Sequence, residues 1–294
     1  FADTANGDYH LSDLSPCISA GTDTITIAGV LYSAPTTDLD GNPRPNPEGS
    51  TPDMGAYESD KGVDPNYAGP VWYVDGPAGV PYGNGGPGAP FTTIQAGIDA
   101  ASSGDTVSVA AGTYVENINF NGKNISVIGA DRETTIIDGN QDTSVVIFSS
   151  GENFNAVLSD FTITNGEANN GGGIYCDNSS PTVKNCTIKG NTSNSGGGIA
   201  CIGGASPMLL NLEIKENSAG AGGGIYAISQ IAAPTIDHCT IRDNTAMGDG
   251  GGIYAWDGSP MIIKHSEITN NTGSHGIFFQ GQAAHASLKI MNST

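Results

Sequence analysis

The chain has 294 residues, of which 43 are glycine, and carries ten Lys and Arg against thirty Asp and Glu, for a formal charge of −20. Glycine is about twice as frequent as the ~7% usual in proteins, which predicts a folded, turn-rich chain. The negative charge argues against a nucleic-acid partner, because repulsion would replace counterion release, and no apolar run approaches the ~18 residues of a transmembrane helix.

Oxygen-bearing side chains cluster near the beginning of the chain. Asp38, Asp40 and Asn42 offer alternating oxygen ligands around Gly41, which predicts a calcium site in so acidic a protein. The run is far shorter than a full calcium-binding loop, and Asx turns explain it without a metal. Calcium is the most plausible ion for this sequence.

A short amphipathic helix is predicted over residues 92–101. Thr92 and Gln95 form a capping box at its start, and Ile94, Ile98 and Ala101 share one face. A helix at the start of a repeat array covers the open sheet edge that would otherwise recruit another chain. We therefore expect this helix to cap the repeats that follow it.

The second half of the chain repeats the segment Gly-Gly-Gly-Ile. The copies end at Ile174, Ile199, Ile225 and Ile253, and a weaker copy ends at Ile277, so the period is about 25 residues. Each copy contains short alternating runs separated by Gly, Asn and Ser, which predicts strands and turns and leaves no room for a helix. Such a period is typical of one coil of a parallel β-helix, whereas a propeller blade needs ~40–50 residues.

Stacked coils align equivalent residues about 4.8 Å apart. Three columns are predicted to face inward: Val183, Leu209, Ile236 and Ile263; Ile188, Ile214, Ile241 and Ile268; and Cys186, Leu212, Cys239 and Ser266. A fourth column is a predicted ladder of asparagines at a turn, in which each amide bonds its neighbours above and below for about 1 kcal/mol net per bond: Asn191, Asn217, Asn244 and Asn271.

Four segments carry a family resemblance: Phe91–Ala101, Gly104–Tyr114, Glu116–Ile118 and Gly122–Gly129. They resemble the opening of the right-handed parallel β-helix family, the pectate-lyase-like superfamily in the broad sense. The Gly-Gly-Gly-Ile repeats resemble those of polymorphic outer-membrane and other bacterial surface proteins. The resemblance implies an all-β, right-handed parallel β-helix solenoid over residues 71–294, with a short N-terminal capping helix.

Residues 1–60 resemble a different part of such proteins. The segments Gly7–Leu11, Leu14–Gly21, Asp38–Arg44 and Asp53–Glu58 are similar to the closing segment that often precedes a C-terminal cell-surface anchor. Residues 61–70 then form a predicted linker. We expect the chain to be a window of a longer protein with several β-helices, truncated within its last coil; the alternative is a complete, permuted domain.

The resemblance extends to polysaccharide lyases and hydrolases. A lyase needs a base, often Lys or Arg, and a cation beside the uronate carboxylate. Lys189, Lys215 and Arg242 fall on one outward column and are the candidates for that role. The alternative is a solvated face of ion pairs with the acidic residues beside them: Glu213, Glu216 and Asp243.

An outward aromatic column is predicted along the Gly-Gly-Gly-Ile repeats. It contains Tyr175, Tyr226, Tyr254 and Phe278, and Ala200 interrupts it. Stacked aromatic side chains on an outer sheet can bind sugar rings or pack on one another. The three tyrosines are therefore candidate ligand-binding residues.

Two further pairs align in neighbouring coils. Cys176 and Cys201 are predicted to face inward, either as a disulfide or as two buried thiols. His238 and His265 stand in the same column as Asn185 and Asn211, where they can bind a metal or act as a base. A plain pair of surface histidines is the alternative, because the repeat pattern fixes no acid beside them.

These observations predict a secreted or cell-surface β-helix protein with a structural or adhesive role, and a repeat unit or fragment of a larger rod- or filament-forming protein. The expected partners are other β-helix domains, through self-association, and polysaccharide. The alternatives are a polysaccharide lyase acting on acidic glycans and a non-catalytic glycan-binding module.

Overall fold

Short strands joined by glycine-rich turns form most of the regular structure. The computed structural model describes residues 9–11, 15, 17–18, 20–22, 24–45, 52–57, 67–76, 83–228, 233–256, 261–280, 288–291 and 293. In chain order the elements of those residues are β1 (Thr24–Ile27), β2 (Val30–Ser33), β3 (Val71–Val74), α1 (Ile94–Ala100), β4 (Thr106–Val109), β5 (Gly112–Val115), β6 (Ile118–Asn119), β7 (Ser126–Gly129), β8 (Thr135–Asp138), β9 (Val146–Phe148), β10 (Val157–Ser159), β11 (Thr162–Thr164), β12 (Glu167–Asn170), β13 (Ile174–Asp177), β14 (Thr182–Lys184), β15 (Thr187–Lys189), β16 (Thr192–Ser195), β17 (Ile199–Ile202), β18 (Met208–Leu210), β19 (Glu213–Lys215), β20 (Ser218–Ala221), β21 (Ile225–Ile228), β22 (Thr235–Asp237), β23 (Thr240–Arg242), β24 (Thr245–Ala246), β25 (Ile253–Trp256), β26 (Met261–Lys264), β27 (Glu267–Thr269), β28 (Ile277–Gln280) and β29 (Leu288–Met291).

The chain divides into two units, Phe1–Thr92 and Thr93–Thr294. In the first unit β1 and β2 form an antiparallel hairpin. Ala28 and Gly29 have φ angles of 50° and 82° at its two-residue turn, a conformation that matches the twist of the flanking strands. Most of the predicted linker, 61–66, lies outside the described residues, so the predicted boundaries at residues 60 and 70 stay predictions.

The second unit, called here the β-helix unit, is a right-handed parallel solenoid of about six turns with roughly 26 residues per coil. Its strands form four parallel ladders. Sheet A runs β4-β7-β10-β14-β18-β22-β26-β29, sheet B runs β5-β8-β11-β15-β19-β23-β27, sheet C runs β12-β16-β20-β24, and sheet D runs β6-β9-β13-β17-β21-β25-β28. This confirms the predicted fold and period.

The predicted inward columns form the core of the β-helix unit. Val183 pairs in register with Leu209, Leu209 with Ile236, and Ile236 with Ile263. All four side chains are fully buried, and each contributes roughly 1.5–3 kcal/mol relative to an exposed side chain. In the second column only Ile268, in the last described copy, is half-buried.

The predicted asparagine ladder is confirmed. Asn191 Nδ2 donates to Asn217 Oδ1 at 3.0 Å, Asn217 Nδ2 donates to Asn244 Oδ1 at 2.9 Å, and Asn244 Nδ2 donates to Asn271 Oδ1 at 2.9 Å. The same amides also donate to backbone carbonyls, as Asn217 does to Ile188 at 2.9 Å. The ladder therefore links consecutive coils through hydrogen-bonded groups, of which Asn191, Asn217 and Asn244 are buried.

Helix α1 begins one residue later than the predicted capping box places it. Its N-cap is Thr93, whose Oγ1 accepts the amide of Ala96 at 3.3 Å, so the prediction of Thr92 is wrong. The two carboxylate oxygens of Glu116 accept the amides of Ile94 and Gln95 at 2.8 and 3.0 Å. A residue 22 positions away thus caps the helix, which is why the local pattern could not identify the cap. The predicted apolar face is buried.

Candidate functional site

Four aromatic side chains lie side by side on the outer surface of sheet D. We call them the aromatic face: Tyr226, Tyr254, Trp256 and Phe278. The rings of Tyr226 and Tyr254 have centroids 5.1 Å apart and planes inclined by 8°, and those of Tyr254 and Phe278 are 5.0 Å apart at 14°. Trp256 stacks on both Tyr254 and Phe278 with centroids 6.2 Å away.

The aromatic face is built by the register of sheet D. Tyr226 pairs with Tyr254 and Tyr254 with Phe278, while Trp256 stands two residues after Tyr254 and so points to the same side of the sheet. Nearly parallel rings in contact with centroids about 5 Å apart are offset rather than eclipsed. All four side chains are half-buried, so they keep part of their surface in solvent.

The N-terminal end of the predicted aromatic column, at Tyr175 and Ala200, does not continue the stack of rings. Tyr175 is in register with Ala200, and Ala200 with Tyr226, as the sequence predicts. Tyr175 turns its hydroxyl to Asp177 Oδ2 at 3.3 Å, and Ala200 is fully buried. The interruption at Ala200 is therefore closed and forms no slot, and Tyr175 is separated from the stack.

Two of the three side chains of the basic column on sheet B form ion pairs with acids. Lys189, Lys215 and Arg242 are in register in consecutive coils. Lys215 Nζ lies 2.8 Å from Glu213 Oε2, and Arg242 bridges Glu213 at 2.6 Å and Asp243 at 2.5 Å. Burial raises the pKa of Glu213, but the hydrogen bonds from Lys215 and Arg242 outweigh it and lower the pKa overall. For Lys215 and Arg242, these contacts have the geometry of the ion-paired face that the sequence offers as the alternative to a lyase site.

An imidazole cluster lies where sheet A turns into sheet B. The rings of His238 and His265 stack with centroids 4.7 Å apart, and both Nδ1 atoms lie 2.9 Å from Asp237 Oδ1. Hydrogen bonding from His265, together with Lys264 at 3.0 Å, lowers the pKa of Asp237 to about 2 despite some opposing desolvation. The repeat pattern fixes no acid at this position, but the structure brings Asp237 to both histidines.

The candidate calcium ligands form a tight turn. Asp38 Oδ1 accepts the amides of Asp40 and Asn42 at 2.9 and 2.7 Å, and its Oδ2 accepts Asn42 Nδ2 at 3.0 Å. The carboxylate of Asp40 lies 2.7 Å from His10 Nε2. These hydrogen bonds have the Asx-turn arrangement, and calcium binding by these residues stays a prediction.

The two candidate disulfide cysteines are buried, and both are free thiols in this structure. Cys176 and Cys201 are in register on β13 and β17, as predicted. Desolvation raises the pKa of Cys201 to about 12 and that of Cys176 well above its usual range. Cys186 and Cys239 are likewise buried, with pKa values raised by desolvation to about 12 and about 11.

These positions predict very slow thiol labelling of the folded protein. The thiolate is the reactive form, and burial suppresses both its formation and reagent access. Near neutral pH we expect only the half-buried Cys17 to react in the native state. In denaturant without reductant, five labels indicate free thiols, whereas three indicate a Cys176–Cys201 disulfide. Rapid native labelling of two or more thiols, counted by mass spectrometry, would contradict the buried placement.

Sequence reasoning missed two residues of these sites and one buried acid outside them. Trp256 follows Tyr254 by two residues, so strand alternation alone could have added it to the aromatic column. Asp237 precedes His238 directly, but its approach to His265 depends on coil stacking. Glu152 is 1% exposed and accepts the amides of Gly122 and Ser150 and the hydroxyl of Ser179; it sits in an irregular loop without a repeat signal.

The stacked coils and inward columns define the class of protein as a parallel β-helix solenoid. The chain belongs to the right-handed β-helix family, because residues 118–289 match the family model described as "Right handed beta helix region". No curated protein gives a significant match.

Two matching solved structures are pectin methylesterase from Aspergillus niger in penultimately deglycosylated and in deglycosylated form. Each is 18% identical and covers 78% of this chain and 86% of the other chain, with TM-scores of 0.44 and 0.42. Within the described residues, no helix is long and apolar enough to cross a membrane.

Proposed function

We propose that this chain is an extracellular or cell-surface β-helix protein with a structural and adhesive role, and that the aromatic face is its adhesive surface for polysaccharide. The observation that carries the proposal is the set of nearly parallel, half-buried rings of Tyr226, Tyr254, Trp256 and Phe278. Aromatic rings held on a rigid strand lose little conformational freedom on binding, and their apolar surface suits the C–H faces of sugars.

The charge of the protein favours a neutral polysaccharide over an acidic one. The formal charge is −20, so a polyuronate would meet long-range repulsion. Two of the three basic side chains in the sheet B column, Lys215 and Arg242, are already paired with Glu213 and Asp243. The same pairing favours adhesion over the lyase alternative, since a lyase base must be free to accept a proton.

The proposal also includes the longer assembly that the sequence predicts. The parallel ladders repeat one coil geometry, and stacked coils need covered or paired ends. We propose neighbouring β-helix domains as the partners at those ends.

Affinity electrophoresis in gels containing neutral or uronate polysaccharides tests the adhesive role. We expect retardation in a neutral polysaccharide gel, and loss of most of it in a variant carrying both Tyr226→Ala and Tyr254→Ala. The control is Phe154→Ala, which removes an aromatic side chain that is 64% exposed elsewhere. Each variant is first checked for folding by circular dichroism.

Three outcomes would contradict the proposal. They are a wild-type protein that no polysaccharide retards, retardation that the double variant keeps, and release of unsaturated products from a uronate polymer. The last would establish the lyase alternative, particularly if Lys215→Ala or Arg242→Ala abolished it.

A further inference from the structure

The imidazole cluster of Asp237, His238 and His265 has the composition and convergence of a metal site. One ligand atom from each residue, two imidazole nitrogens and a carboxylate oxygen, lies within 4.8 Å of the other two. Within the part of the chain that the structure describes, it is the one place where three such groups converge. The geometry points to a binding site for a divalent transition metal of the zinc class.

The β-helix backbone fixes the positions of both imidazoles. Asp237 is in register with Lys264, so His238 and His265 follow at equivalent positions of adjacent coils. Both have left-handed backbone conformations, with φ of 54° and 49°, and their amides bond to the carbonyls of Lys264 and Met291 at 3.2 and 2.9 Å. Their Cβ atoms therefore start from fixed positions, one coil apart.

Other side chains occupy the equivalent turn position in the preceding coils. They are Asp160, Asn185 and Asn211. The amide Nδ2 of Asn185 donates to Asp160 at 3.2 Å, and that of Asn211 donates to Asn185 Oδ1 at 2.9 Å. Those side chains satisfy one another along the column. The two histidines instead direct both Nδ1 atoms at one carboxylate oxygen, which leaves both Nε2 atoms on the opposite side of the rings.

The distances between the three ligand atoms are compatible with zinc once the side chains adjust. Bonds of about 2.0–2.1 Å at tetrahedral angles separate ligand atoms by roughly 3.3 Å, whereas each Nδ1 lies 2.9 Å from Asp237 Oδ1. The two imidazole nitrogens lie within 4.8 Å of each other, so zinc binding also sets their mutual distance. The side chains of His238 and His265 are 67% and 42% exposed and therefore have room to adjust. On binding, each Nδ1 offers its lone pair and the ring proton resides on Nε2.

The surroundings supply an orienting partner and an open side. Asp237 Oδ2 is held by Lys264 Nζ at 3.0 Å, which orients Oδ1 toward the imidazoles as an outer-shell contact. A shallow groove of about 460 Å³ adjoins the cluster, lined by both histidines, Asn211 and Glu267 among others. Two nitrogen ligands favour zinc and its transition-metal neighbours over calcium and magnesium, which prefer oxygen.

Isothermal titration calorimetry of the metal-free protein with zinc chloride, in a buffer that does not chelate, tests the site. We expect one zinc per chain and a raised melting temperature. His238→Gln, His265→Gln and Asp237→Asn are each expected to weaken binding at least ~10-fold. Cobalt substitution should give the visible absorption of a site with nitrogen ligands, which His265→Gln removes.

His275→Gln is the matched control. His275 Nδ1 lies 2.8 Å from Asp249 Oδ1, so it forms the same kind of imidazole–carboxylate pair with a single imidazole. This variant should bind zinc like the wild type. The inference is overturned if the folded wild type binds no zinc, if the histidine variants bind it unchanged, or if His275→Gln abolishes binding. None of these measurements depends on the polysaccharide proposal.

Discussion

Replacing Gly224 by alanine is expected to lower the free energy of unfolding by about 3 kcal/mol or more. A Cβ atom on Gly224 would lie 2.5 Å from the carbonyl oxygen of Gly252 in the next coil and 3.0 Å from Ile241 Cγ2. The oxygen belongs to a backbone that is hydrogen-bonded into the stack, since the amide of Ile225 bonds to Gly252 O at 2.8 Å. The strain cannot be relieved without separating two coils.

Thermal unfolding followed by circular dichroism measures this effect, and the expected fall in melting temperature is roughly 6–12 °C. Gly276→Ala is the matched control, because Gly276 stands in the same column and a Cβ there would meet nothing within 4 Å. If the two variants melted together, tight coil packing would not be the reason for the glycine repeat.

Replacing Asn217 by alanine is expected to lower the free energy of unfolding by about 3–5 kcal/mol. The side chain accepts the amide and Nδ2 of Asn191, both at 3.0 Å, and donates to Ile188 O and Asn244 Oδ1, both at 2.9 Å. Alanine removes these four bonds and leaves buried groups of the adjacent coils without that partner. Each such group costs about 1–3 kcal/mol, so the sum exceeds the value of an ordinary surface hydrogen bond.

Chemical denaturation with urea measures the loss, and Asn194→Ala provides the comparison. Asn194 is also an amide in a ladder position, donating to Asn169 Oδ1 at 3.1 Å, but the bond is exposed to solvent. We expect its replacement to change stability by no more than ~0.5 kcal/mol. Equal losses in the two variants would show that burial of the Asn217 ladder is not what makes it stabilising.

The coil period, the inward columns and the asparagine ladder could all be predicted from the sequence. Each depends on residues recurring at one period, and stacking in register turns that recurrence into contact, as with Leu209 on Ile236. The glycine triplets were visible as a motif, but their cause was not. It lies in carbonyl oxygens of another coil, such as Gly252 O beside Gly224.

The candidate sites were predicted less completely, because they depend on side-chain direction. The alignment of Tyr226 and Tyr254 was predicted, whereas the closure at Ala200 needed the packed structure. The basic column was predicted with both a catalytic and a salt-bridged alternative, and the distances around Glu213 favour the latter. The proximity of Asp237 to His265 was not predicted, since that contact joins residues 28 positions apart.

By itself, the sequence determined that this protein repeats one coil of strands and turns, which residues of each coil face inward, and that its charge repels polyanions. Periodicity suffices for the first two conclusions, because translation by one coil maps each residue onto its equivalent, and the third follows from the net charge alone. Only the tertiary structure decided how unlike residues meet. Glu116 caps α1, Glu152 accepts hydrogen bonds from three loops, and the carboxylate of Asp237 contacts two histidines. These contacts depend on turn geometry and on the direction in which each side chain leaves the backbone, which the repeat does not specify.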